Sequence, residues 1–192
     1  MIVLGSGSPR RRHLLEMLGI EHEVVVPAEV DERRLEGEPP DAMAGRLAVE
    51  KARWVSRQRP GELVLAADTI VVIDDLVLGK PQDAADAGRM LALLSGREHR
   101  VITAVAIACP DGTVLERSDQ TRVWFRELPR ETIDDYVATG EPLDKAGSYG
   151  VQGYGGVLIE RVEGDFFGVM GLPIRLVTDL LEEAGRPYRF TR

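Results

Sequence analysis

Leu63-Val64-Leu65-Ala66-Ala67-Asp68-Thr69-Ile70-Val71-Val72-Ile73 is an apolar, β-branched run with one carboxylate and one hydroxyl at its middle. Such a run predicts a strand buried on both faces. An unpaired charge there costs roughly several kcal/mol, so Asp68 does not serve solubility. Asp74-Asp75 suits a tight turn, and Leu76-Val77-Leu78 reads as a short returning strand. We expect this hairpin to carry Gly79-Lys80-Pro81 back towards Asp68, so that neighbouring strands present an acid and a base. A structural ion pair or sheet-end cap would also account for Asp68, and a solvated loop for Lys80.

Outward from this stretch the elements alternate. Met1-Ile2-Val3-Leu4 is a short buried strand, followed by Gly5-Ser6-Gly7-Ser8-Pro9-Arg10-Arg11-Arg12. Ser8 is placed to cap a helix, Pro9 suits its first position, Leu14, Leu15 and Leu18 form its apolar stripe, and Gly19 closes it. A helix N-terminus after glycines and serines offers free amides to an anion. Three arginines at that end oppose the macrodipole unless an anion is near, which favours a phosphate site over a solvated turn. Val24-Val25-Val26 reads as a strand leading to the carboxylate pair Asp31-Glu32, for which surface solvation is the commoner explanation.

Residues 33–40 form an exposed loop, and Asp41 is expected to cap a helix with Met43, Leu47 and Trp54 on its apolar stripe. Lys51 falls on the same face, either laying its stem along the core or projecting into a cleft. Asp83 caps a further helix with Ala87, Met90, Leu91 and Leu94 buried, ending at Ser95-Gly96. Strands follow at residues 100–108 and 121–125, then a short helix around Ile133, Tyr136 and Val137. The glycine-rich segment Asp144-Lys145-Ala146-Gly147-Ser148-Tyr149-Gly150-Val151-Gln152-Gly153-Tyr154-Gly155-Gly156 permits close backbone approach to a ligand, or serves turns. Residues 157–162 read as a strand, and Gly171-Leu172-Pro173 opens a last helix with Val177, Leu180, Leu181 and Ala184 in its core face.

At 192 residues, with 44% hydrophobic and 29% charged residues, the chain can form one large domain or two small lobes. A formal charge of −8 argues against a nucleic-acid-binding face but leaves room for a local phosphate site. A single cysteine, Cys109, excludes an internal disulfide and a cysteine-rich zinc site, which suits a reducing compartment. We expect no leader before the strand at Ile2, no membrane span, and a cytoplasmic location.

Several motifs in this order resemble the Maf family of nucleoside triphosphate pyrophosphatases. They are Ser6-Gly7-Ser8-Pro9-Arg10-Arg11, Ala67-Asp68-Thr69-Ile70-Val71, Gly79-Lys80-Pro81, Leu94-Ser95-Gly96 with His99, Asp144-Lys145-Ala146-Gly147 and Gly171-Leu172-Pro173. The resemblance spans nearly the whole chain. It implies a single domain over residues 1–192: an α/β fold with an elongated, curved mixed sheet flanked by helices, two lobes and a central cleft.

It also implies hydrolysis of the α–β phosphoanhydride of a nucleoside triphosphate. Asp68 matches the family's proton acceptor. Arg10, Thr69 and Gln152 match its specificity positions, and Glu32, Lys51 and Lys80 match further cleft residues. With these we group Ser6, Ser8 and Arg11 as substrate-binding, and Glu32 and Asp68 as ligands of a divalent cation, Mg²⁺ or Mn²⁺. The segment from Asp144 to Gly153 is similar to the dTTP/UTP branch. The 7-methyl-GTP branch typically has a Glu where this chain has Gln152. The alternatives are that 7-methyl-GTP specificity and a nucleotide-binding regulator of cell division with little turnover. The partners implied are the nucleotide and a second copy in a homodimer, with neither nucleic acid nor membrane.

Overall fold

The computed structural model describes residues 1–28 and 30–190. Among them are seven strands: β1 (Ile2–Gly5), β2 (His22–Val24), β3 (Val64–Ile73), β4 (Leu76–Leu78), β5 (Glu98–Ala108), β6 (Val114–Phe125) and β7 (Ile159–Glu163). The six α-helices are α1 (Pro9–Met17), α2 (Pro40–Gln58), α3 (Ala84–Leu94), α4 (Arg130–Ala138), α5 (Phe166–Met170) and α6 (Ile174–Glu183). One open sheet runs β2-β1-β3-β5-β6-β7, with β4 also on β3. It is mixed, as expected: β1 pairs parallel with β2 and β3, whereas β3–β4 and β6–β7 are antiparallel. No helix among the described residues is long and apolar enough to cross a membrane.

The chain divides into two compact units. The first contains Met1–Asp68, Thr103–Asp119 and the segment from Gly171 onward; the second contains Thr69–Ile102 and Gln120–Met170. In the first, β1 and the opening half of β3 are wholly buried. Leu14 and Leu15 of α1, Leu47 and Val55 of α2, and Val177 and Leu180 of α6 lose nearly all solvent contact. Each buried aliphatic side chain of this kind contributes about 1.5–3 kcal/mol. In the second, Val71 and Ile73 of β3 share a core with Leu91 and Leu94 of α3, Ile133 and Tyr136 of α4, and Phe125 of β6. His99 sits in that core with Phe125 and Tyr149, all three rings edge-on at 4.8–5.4 Å.

Local signals placed most elements. Ser8 caps α1, its hydroxyl accepting from the Arg11 amide at 3.5 Å, with Pro9 first in the helix. Asp83 caps α3 through the Asp86 amide at 2.8 Å, and that helix buries the four residues expected of it. The β3–β4 hairpin turns at Asp74, which takes a positive φ of 52°.

Other expectations need correction. β2 lies at His22–Val24, not at the three valines, because β1 fixes its parallel register from Ile2↔His22 to Leu4↔Val24. Val25 still donates to the Leu4 carbonyl at 3.0 Å, but Val26 is exposed. Asp41 does not cap α2: Pro39 and Pro40 start the helix and Asp41 lies within its first turn. Trp54 is only half-buried, whereas its neighbour Val55 is fully so. β6 begins at Val114, well before residue 121, through a polar stretch that pattern alone marks as loop. β7 runs from Ile159 to Glu163, leaving Val157 exposed in a 3₁₀ turn. The short helix α5 was not anticipated, although Asp165 marks its start by accepting from the amides of Phe167 and Gly168 at 2.8 and 3.1 Å.

Candidate active site

Asp68 is the last residue of the first unit, at the middle of β3, and is 8% exposed. Its Oδ1 accepts from Nζ of Lys51 at 2.6 Å. Lys51 stands mid-way along α2, four residues after the buried Leu47, so the helical repeat turns it to the core face. The same Nζ lies 2.6 Å from Oε1 of Glu32. One ammonium thus meets two carboxylates: Lys51 and Asp68 side chains are 14% and 11% exposed, while Glu32 is open to solvent.

The N-terminus of α1 supplies the second half of this cluster. The Ser6 hydroxyl accepts from the Ser8 amide and from Nη1 of Arg11, both at 3.2 Å. Nε of Arg11 donates to the Gly171 carbonyl at 2.7 Å, which ties this loop to the Gly171-Leu172-Pro173 segment. Burial pushes the Arg11 guanidinium below its ordinary value; Asp68 and Glu32 pull upward while Arg10 opposes them. An arginine remains charged under such pressure. Arg11 is therefore a fixed cation in the field of Asp68 and Glu32, and Arg10 beside it is half-buried. Arg12 turns elsewhere, exposed and paired with Glu16 at 3.6 Å.

The remaining predicted residues belong to the second unit. Thr69 follows Asp68 directly and is the one residue of β3 that is not fully buried. Lys80 is exposed, two residues beyond the last ladder pair, Val71↔Leu78. The carbonyl of its neighbour Gly79 accepts from the Gly147 amide at 3.1 Å. Gly147 needs a positive φ of 68°, and a Cβ there would lie 2.8–2.9 Å from Val71 carbons. This glycine lets the segment rest directly on β3. Gln152 is exposed among 3₁₀ turns.

Sequence reasoning missed Glu141. Its Oε1 accepts from the Tyr136 hydroxyl at 2.9 Å and the Gly155 amide at 3.0 Å, and its Oε2 accepts from the Tyr154 amide at 3.0 Å. The available signal was a carboxylate at the head of a glycine-rich segment whose bare amides need acceptors.

The carboxylates fit a hard divalent cation. Magnesium sites typically use one or two carboxylates plus phosphate oxygens and water. Asp68 and Glu32 already face one positive charge together. Among the described residues no group of three or more His, Cys, Asp or Glu side chains could hold a metal.

The sequence matches the family described as Maf-like protein over residues 1–184. The chain belongs to the Maf family. It is 48% identical over 186 residues to the dTTP/UTP pyrophosphatase of Symbiobacterium thermophilum, covering 97% of this chain and 95% of that one. It is 51% identical over 183 residues to the dTTP/UTP pyrophosphatase of Syntrophomonas wolfei, covering 95% and 96%. Among solved structures, a HAM1 protein from Coxiella burnetii superposes with a TM-score of 0.59 at 17% identity, covering 95% of this chain and 98% of that one. This last likeness concerns the fold alone.

Proposed function

We infer that this Maf protein is a nucleoside triphosphate pyrophosphatase that hydrolyses dTTP and UTP to the monophosphate and pyrophosphate, and acts on modified pyrimidine nucleotides of the same shape. The observation that carries the reading is the ammonium of Lys51 set between Asp68 and Glu32, beside the fixed guanidinium of Arg11. The full-length relatives named dTTP/UTP pyrophosphatase support the substrate.

A triphosphate carries about four negative charges near neutral pH, which repel a water nucleophile until cations neutralise the oxygens. Arg10, Arg11 and Lys51 supply positive charge from the first unit, with the amides that open α1. Lys80, exposed after β4, is a further cation of the proposed set. Asp68 accepts the proton of the water that attacks phosphorus, and pyrophosphate departs as the α–β P–O bond breaks. Lys51 keeps the Asp68 carboxylate oriented. Held by Asp68 and Glu32, Mg²⁺ or Mn²⁺ would neutralise phosphate charge and acidify a bound water. Thr69 and Gln152 contact the nucleoside. The Gln152 amide offers both a donor and an acceptor, matching the N3–H and carbonyls of uracil and thymine. The lone Cys109 suits the cytoplasm.

Pyrophosphate release from a panel of nucleoside triphosphates, with and without divalent metal, tests this. dTTP and UTP should lead. Release from none of them, or equal release from ATP and GTP, would overturn it.

A further inference from the structure

The hydrogen bonds around Gln152 converge on one side chain outside the cluster described above. Glu141 follows Gly140 at the start of a 3₁₀ turn, and its backbone carbonyl is held by Nζ of Lys145 at 2.6 Å. Its carboxylate binds the amides of Tyr154 and Gly155, immediately past Gln152. On the other side of Gln152, the Gly150 amide donates at 3.2 Å to the Tyr136 hydroxyl, which in turn donates to the same carboxylate. Both ends of the span 150–155 are therefore fastened to one anion. The backbone passes so close that a Cβ on Gly153 would lie 2.7 Å from Oε2 of Glu141, and one on Gly155 would lie 2.6 Å from the Tyr136 oxygen.

Glutamate suits this position because both oxygens are pure acceptors facing N–H and O–H donors. Burial pushes the carboxyl up, but the two amides, the Tyr136 hydroxyl and the charge of Lys145 outweigh it and hold Glu141 below the ordinary carboxylate range. It is ionised at neutral pH. Bonds to a charged acceptor are stronger than those between neutral groups, so the fastening is firm where the glycines alone would leave the backbone free.

We propose that Glu141 is a positioning residue for base selection: through Tyr136, Tyr154 and Gly155 it fixes the span in which Gln152 meets the nucleobase. This rests on the reading above that Gln152 contacts the base. Glu141→Gln keeps size and shape but turns one acceptor into a donor facing a donor. Its KM for UTP should rise roughly tenfold with a smaller change in kcat, and the preference for UTP over GTP should shrink by a similar factor. Hydrogen exchange should quicken in peptides covering residues 149–158. Tyr136→Phe removes the hydroxyl that joins Gly150 to Glu141 but leaves the Tyr154 and Gly155 amides bound to the carboxylate, so it should move the same quantities less; it carries the test if Glu141→Gln does not fold.

A merely structural Glu141 would lower Tm and the active fraction equally for both nucleotides, with KM unchanged. That result would overturn the proposal while leaving the pyrophosphatase reading intact. A wild-type protein that releases pyrophosphate from neither nucleotide would overturn the functional reading, and this proposal with it.

Discussion

Nζ of Lys51 stands 2.6 Å from Oδ1 of Asp68, joining the middle of a nineteen-residue helix to the middle of a ten-residue strand. The lysine shares its charge with Glu32, so the buried carboxylate is paired without monopolising its partner. A carboxylate held in this way is oriented and able to take a proton from water.

Asp68→Asn tests that role. The amide preserves the shape of the strand, and Lys51 keeps Glu32, so the fold should survive with a stability loss of about 1–3 kcal/mol. Turnover of UTP should fall by roughly 10²-fold or more, with nucleotide binding retained. Near-normal turnover in the folded variant would remove Asp68 from the chemistry.

Gln152→Glu tests the reading of the base. A carboxylate only accepts, so it satisfies the N3–H of uracil but leaves the adjacent carbonyl without a donor. Each unpaired polar group costs about 1–3 kcal/mol. Hydrolysis of dTTP and UTP should drop well below any change in hydrolysis of 7-methyl-GTP, whose guanine edge presents adjacent donors. An unchanged ranking of the three nucleotides would show that Gln152 does not read the base.

His99 gives a pH dependence with a definite sign. Burial pushes it from 6.5 down to about 4, so it is neutral in the folded protein at neutral pH. The unfolded chain binds its proton first as pH falls. The stabilisation is therefore complete above about pH 6.5 and is lost progressively down to about pH 4, by roughly 3 kcal/mol. Urea unfolding of wild type and His99→Gln at pH 7, 5.5 and 4.5 isolates this share. The two proteins should converge in stability as pH drops, and parallel curves would contradict the assignment.

Gly147→Ala should cost about 2 kcal/mol or more, because the new methyl meets Val71 and the backbone stays at positive φ. Adding Val71→Ala relieves the contact but not the φ. The double variant should accordingly lose less stability than the two single losses added, in chemical denaturation. Strict additivity would mean that the segment does not rest on Val71.

The sequence made visible what short-range chemistry decides. Ser8, Asp83 and Asp74-Asp75 marked their elements because a cap or turn depends on a few neighbouring atoms. Asp68 stood out because a charge in an apolar strand demands an explanation, and Lys51 because its helical repeat sets it beside Leu47. What stayed hidden depends on partners far along the chain. The register of β2 is dictated by β1, and the polar start of β6 is a strand only because the sheet completes it. Arg11 reaches Gly171 across 160 residues, a link no local pattern reveals. Glu141 escaped notice for a different reason. Two of its carboxylate's three partners are backbone amides, which are the same in every sequence.

The seat of Gly147 on Val71 bears on how this protein could be re-engineered. A library meant to change its base preference gains nothing from position 147, where any side chain collides with β3 before it can meet a nucleotide. Gln152 and Tyr154 are different: both side chains are exposed, and the Tyr154 amide already has its acceptor. Diversity placed at those two positions would vary what the segment displays while sparing what holds it in place.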